Sequence, residues 1–209
     1  MKLILVIATL IFMVGCSVIS QSEVATAPYT LLKSDDTEKI EVRNYDSMVL
    51  VSTSMSGKKG NSAFRTLFSY IGGDNEGVAE ISMTAPVIID DKKTVTKGAK
   101  ISMTAPVFMN ESANTALMSF VMPADFTLET TPKPTNPDVL VSELKDYKVA
   151  VIQFSGTLSN SNVEKHTLAL TNWIAENGYT AISGPLKAGY NSPFTLPMMR
   201  RNEVLIEVE

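Results

Sequence analysis

Lys39-Ile40-Glu41-Val42-Arg43 alternates apolar with polar, and Met48-Val49-Leu50-Val51 follows as an apolar run, a pattern that predicts a strand pair or one bent strand. The spacing then lengthens. Phe64, Leu67, Phe68 and Ile71 recur at helical intervals after a cap at Asn61. Gly72-Gly73 ends that helix, because glycine takes the left-handed C-terminal position at no steric cost. Next, Ile-Ser-Met-Thr-Ala-Pro-Val occurs at residues 81–87 and again, identically, at residues 101–107. In each copy Ile, Met, Ala and Val fall on one side and Ser, Thr and Pro on the other, the period of a half-buried strand. Asp90-Asp91-Lys92-Lys93 and Gly98 supply a polar turn, so the copies are expected to pair as antiparallel neighbours. Pro86 and Pro106 lack a ladder donor and belong at strand ends, bulges or an edge.

Residues 118–122 read as one more strand, and Pro132, Pro134 and Pro137 as a stiff connector. After it the first pattern returns. Tyr147-Lys148-Val149-Ala150-Val151, running on to Gly156, parallels the stretch from Tyr45 to Gly57. Ser161 starts a second helix with Glu164 three residues on, the spacing of a capping box. Val163, Leu170, Trp173 and Ile174 form its apolar stripe, Asn177-Gly178 ends it, and final strands are expected near residues 186–190 and 203–208. The chain therefore reads as an α+β domain of two pseudo-repeated strand–helix–strands halves. Its antiparallel sheet should curve into a distorted barrel or saddle with two helices packed on it. A cavity or groove between sheet and helices is where such an architecture commonly takes small ligands.

The N-terminus changes the picture of where this domain resides. Lys2, the apolar run 3–14 and Gly15-Cys16 are too short to span a bilayer and resemble a bacterial lipoprotein signal, with Met13 where leucine is usual. That resemblance implies cleavage after residue 15 and acylation (palmitate-type chains) of Cys16; an ordinary signal with a leftover thiol is the alternative. Residues 16–28 would be the lipidated end and its tether, and residues 29–209 the folded domain. The protein is then exported and held on the cell envelope by its lipid, with Ser17 at the next position leaning towards the outer membrane. Cys16 is the only cysteine, which excludes an intrachain disulfide or a multi-cysteine metal site. A net charge of −4 argues against nucleic acid as a partner.

The repeated heptapeptide, read with its surroundings, resembles the SOUL haem-binding protein family. Glu41-Val42-Arg43-Asn44-Tyr45 is similar to that family's opening strand, and the stretch from Ala63 to Gly73 to its first helix. Phe120-Val121-Met122-Pro123 and Phe154-Ser155-Gly156 fit its central strands; Tyr190-Asn191-Ser192-Pro193-Phe194 and Arg200-Arg201-Asn202-Glu203-Val204 fit its ending. The resemblance implies a distorted antiparallel barrel with two helices. It also implies binding of haem or another tetrapyrrole in a mainly hydrophobic pocket, lined by the first helix and the loop before the last strand. Carried over, Phe64, Phe68 and Phe194 would offer apolar area, and Arg65 and Arg200 are candidates to pair with a propionate.

For iron, the residues leave several readings open. His166, the single histidine, is expected at the edge of the second helix's stripe beside Trp173 and Leu170; Met83 and Met103 lie on the repeat's apolar face. Packing is the ordinary role for all three, and equally for Tyr45, Tyr70 and Tyr190. All four arginines, Arg43, Arg65, Arg200 and Arg201, sit inside the family-like motifs, where they serve either a ligand or an ion-paired lattice holding the last strand. No HExxH, Gly-x-Ser-x-Gly or phosphate loop appears, so a binding protein is expected rather than an enzyme. The alternatives are a ligand-free structural or interaction lipoprotein and, behind it, a small-molecule enzyme on the same fold with Tyr or Glu as acid or base. Oligomeric state is not encoded legibly.

Overall fold

The computed structural model describes residues 25–56, 60–77, 98–110, 116–192 and 194–209. Cys16, Met83 and the first copy of the heptapeptide lie outside them, as do residues 16–24 of the expected tether and most of the expected turn between the copies. The tether's end does not hang free, since Ala27 is buried and its amide donates to Ala105 O at 3.3 Å. Seven strands run in the order β1 (Thr30–Asp35), β2 (Ile40–Ser54), β3 (Val107–Asn110), β4 (Leu117–Val121), β5 (Val139–Phe154), β6 (Leu186–Gly189) and β7 (Asn202–Glu207). Helix α1 (Gly60–Ile71) follows β2, and α2 (Asn160–Glu176) follows β5. Among the described residues each half therefore holds one long strand, a helix and two short strands, with β1 added ahead of the first. All pairings between strands are antiparallel.

The halves close on each other. Within the first, β2 pairs with β4 and β4 with β3; within the second, β5 pairs with β7 and β7 with β6. The β2–β5 and β3–β6 ladders join them into a ring, and β1 lies outside it along the start of β2. The long β2–β5 ladder is broken once. Asp46 and Asp146 are missing from its register, and Asp146 carries a positive φ of 49°. Across that break the faces exchange. Before it Ile40 and Val42 pack under α2 and Tyr45 faces the barrel core; after it Val49 and Val51 pack under α1 while Met48 and Leu50 face the core. Leu144 and Tyr147 mark the same exchange on β5.

Helix α2 buries Val163, Leu170, Trp173 and Ile174, the predicted stripe. Its cap differs from expectation. The helix begins at Asn160 after Ser159, whose side chain makes no capping bond, so the Ser161–Glu164 box is not formed. On α1 the buried stripe is Ala63, Leu67, Tyr70 and Ile71, which leaves Phe64 half-buried and Phe68 exposed, and Asn61 lies within the first turn. The second heptapeptide also departs from prediction: only Val107 belongs to a strand. Ile101 is held by the helix end (Ile101 N–H to Ile71 O, 2.8 Å), Ala105 bridges to Thr26, and Ala105–Pro106 is cis. Thr104, Ala105 and Pro106 are buried in succession, so the two-residue period fails here.

β1 shows no useful alternation and is exposed along most of its length. Tertiary contacts hold it. Trp173 Nε1 donates to Asp35 Oδ2 at 2.9 Å, and the Lys33 ammonium donates to Asn177 Oδ1 at 2.7 Å while lying 5.2 Å from the Trp173 ring centre. Asp35 Oδ1 also accepts the amides of Thr37 and Glu38, turning the chain into β2.

Candidate functional site

The strand β2 motif Glu41-Val42-Arg43-Asn44-Tyr45 places Arg43 and Tyr45 towards the barrel interior, opposite Ile40 and Val42. Inside, Arg43 meets Glu203 of β7. The Arg43 NH1 and NH2 groups donate to Glu203 Oε2 and Oε1 at 2.9 and 3.0 Å, and neither side chain is exposed to any useful extent (2% and 0%). Burying such a pair is tolerable only if further hydrogen bonds support it. Its neighbours supply them. Arg43 Nε donates to Glu41 at 2.6 Å, Tyr190 OH donates to Glu203 Oε2 at 2.5 Å, and Arg201 NH2 donates to Oε1 at 2.7 Å. The Arg43 guanidinium stacks 4.6 Å from the Tyr29 ring, and that of Arg201 lies 4.1 Å from Tyr190.

The electrostatics follow from this geometry. Burial pushes the Glu203 carboxyl up, but the hydrogen bonds and charge of Arg43, with Arg201 and Tyr190, win and hold it below its ordinary value of 4.5. Burial pushes Tyr190 up, and the Glu203 charge adds to it, so the phenol stays protonated and donates. Sequence reasoning placed these residues in motifs without joining them. The ion-paired reading of the last strand's arginines describes Arg201.

Tyr190 and Arg201 are the two ends of one loop, and both are fastened to the same carboxylate. The Tyr190 amide donates to Arg201 O, and the Arg201 amide to Asn191 Oδ1 at 2.6 Å. Further out, Gly156 N–H donates to Pro197 O at 2.8 Å, and Asn202 Nδ2 to Gly156 O at 3.0 Å. Gly156 has φ 105°, open to glycine and strained for other residues. Beyond these anchors the loop is apolar and uncovered: Phe194 is 96% exposed and Met198 77%, with Leu196 and Met199 also exposed. Beneath it lies an open groove of about 300 Å³ lined by Lys39, Phe154, Met198, Met199, Arg200 and Arg201, among others. Arg200 is oriented by donation from Nε to Thr195 O at 2.8 Å.

The expected site residues divide into separate places. Phe64 packs edge-on against Phe120 (5.3 Å) and stacks on Phe68 (6.0 Å), so this pair and exposed Arg65 belong to the α1 face. Arg200 belongs to the groove beside β5, and Phe194 projects from the loop above it. His166 stacks flat on Phe154 at 4.1 Å rather than beside Trp173 and Leu170. Its Nδ1–H donates to Asn162 O at 2.7 Å, since a carbonyl can only accept. Met103 is 38% exposed and sits off any strand, so the expected apolar strand face does not exist there. Lys39, Met198 and Met199 were missed as groove residues. Their signal was present in Leu196-Pro197-Met198-Met199, an apolar run placed in a loop.

Comparison with known proteins gives consistent results. A family model described as SOUL heme-binding protein matches residues 24–97 and 89–207, one copy of the heptapeptide falling in each match. Over 176 residues the chain is 31% identical to Heme-binding protein 2 of Homo sapiens, covering 78% of this chain and 75% of that protein. Heme-binding protein 1 of Xenopus tropicalis is 24% identical over 172 residues, with 78% and 80% covered. Among solved structures, a hydrolase from Listeria innocua matches with a TM-score of 0.54 at 11% identity, covering 82% of this chain and 92% of that one. A chain of the EcmrR–DNA complex matches with a TM-score of 0.53 at 11% identity, covering 81% and 57%. At that identity the two structures speak to the barrel alone.

Proposed function

Because this chain belongs to the SOUL haem-binding family, we propose that it binds haem or a related tetrapyrrole in the groove under the Tyr190–Arg201 loop. The observation that carries the reading is the meeting of exposed methionine side chains with cationic ones over a phenylalanine floor. A haem edge is a flat apolar surface ending in two carboxylates. Phe154 and the methionines fit the first, and Lys39 and Arg200 the second. Haem supplies an iron atom able to accept a fifth or sixth donor, and the thioethers of Met198 and Met199 are the donor types at the groove. His166 lies behind Phe154 and orients that ring. The role is binding rather than catalysis, in keeping with the named relatives. The setting we propose is the cell envelope, with the chain cleaved after residue 15 and acylated at Cys16.

A haemin titration of residues 17–209 followed at the Soret band tests this. Saturation near one haem per chain is expected, with affinity lowered about tenfold or more by Arg200→Ala or by Met198→Ala with Met199→Ala. Arg65→Ala and Phe68→Ala should leave it unchanged. The opposite pattern would move the site to α1, and linear uptake without saturation would overturn the reading. Mass spectrometry of the membrane-extracted protein tests acylation separately.

A further inference from the structure

Phe194 and Leu196 are not among the groove's lining residues, yet they are exposed at 96% and 59% at the loop's tip. Apolar side chains displayed this fully on a pinned loop mark a contact surface. Where the chain enters the fold says what that surface meets. Ala105 N–H donates to Ala25 O at 2.9 Å, Ala27 N–H to Ala105 O at 3.3 Å, and Thr26 bridges Ala105. Two residues on, Val107 pairs with Gly189, the last residue before the loop. Tyr29 stacks on Arg43, which grips the same Glu203 that fastens the loop's two ends. The first described residues and the loop therefore share one end of the barrel. Eight residues separate Cys16 from Ala25, a reach of at most roughly 30 Å even when fully extended. A lipid on Cys16 therefore keeps that end of the barrel within roughly 30 Å of the bilayer.

We propose that Phe194 and Leu196 insert into the surface of the phospholipid bilayer to which Cys16 is attached. Acyl chains then hold the protein near the membrane, and the loop tip fixes which way it faces. The groove beneath opens beside the lipid, where a tetrapyrrole partitions. This rests on the acylation proposed above, but its test does not require the acyl chains.

Residues 17–209, which contain every described residue, are to be sedimented with phosphatidylethanolamine–phosphatidylglycerol vesicles, beside the Phe194→Ser/Leu196→Ser double variant. The wild type should partition to vesicles and the variant should lose at least tenfold in partition coefficient, with an unchanged melting curve and unchanged haemin affinity. Equal partition of the two chains, or none for the wild type, overturns the proposal. Retained vesicle binding with lost haemin affinity also overturns it and assigns the tip to the haem site. If haemin binding fails for both chains while partition differs as expected, the membrane role stands and the haem reading falls.

Discussion

The base and the tip of the Tyr190–Arg201 loop invert the usual distribution of residues. At the base, Arg43 and Glu203 are charged and sealed from water; at the tip, Phe194 and Leu196 are apolar and open to it. Charges are tolerated inside because Arg43 and Glu203 pair two-pronged and Glu41, Tyr190 and Arg201 add further hydrogen bonds, and ten residues of chain are thereby fastened to one carboxylate. Apolar groups outside contribute nothing to folding and serve contact instead. Stability and contact are thus segregated along a single loop.

Removing one charge tests the base most severely. Arg43→Met should destabilise the fold by about 3–5 kcal/mol in a denaturant titration, because Glu203 is left buried with less compensation. Pairing it with Glu203→Leu should recover part of the loss, since no charge is then buried unpaired, while Tyr190 and Arg201 still lose their acceptor. If the double variant is as unstable as the single one, the cost lies in packing and not in charge. Acid should act on the same pair. The folded Glu203 carboxyl lies below its ordinary 4.5, so its contribution is complete above pH 4.5 and declines as pH falls through the folded value. Melting temperatures should therefore drop more steeply below pH 4.5 in the wild type than in the double variant. Gly156→Ala, at the turn that holds Pro197, should cost about 1–3 kcal/mol because φ 105° strains any side chain. Smallest of all, Phe194→Ser should change stability by no more than about 0.5 kcal/mol by the same measurement. A larger loss would show that the tip is packed after all.

Much of the barrel was legible because its signals are local. Val163, Leu170, Trp173 and Ile174 declare a helix face by spacing alone, and Gly72-Gly73 its neighbour's end. The interior was not legible, for a physical reason. Alternation on β2 made Ile40 and Val42 the covered side and left Arg43 on a side that reads as water-facing. In a closed barrel carrying helices both sides are covered, and a polar residue on the second is sealed inside. β1 was missed because it is held by Trp173 and Lys33 across the molecule. The second heptapeptide misled because its two-residue period was read as a strand, whereas Ile101–Pro106 is shaped by α1's end and by Thr26. At the site, the arginine-rich ending and the loop before it were visible as motifs. Which of their residues share a groove depends on the packing of Phe154 and His166.

The break at Asp46 and Asp146 behaves like a change of reading frame. Strands β2 and β5 each encode two messages in succession, one written on odd positions and one on even, and both shift at the same rung. Deleting a single residue from one strand would garble everything beyond it, sending Val49 and Val51 inward and Met48 and Leu50 out. Lengthening both strands by a matched pair of residues on the same side of the break would preserve the sense, and the barrel could grow by whole rungs without a word being misread.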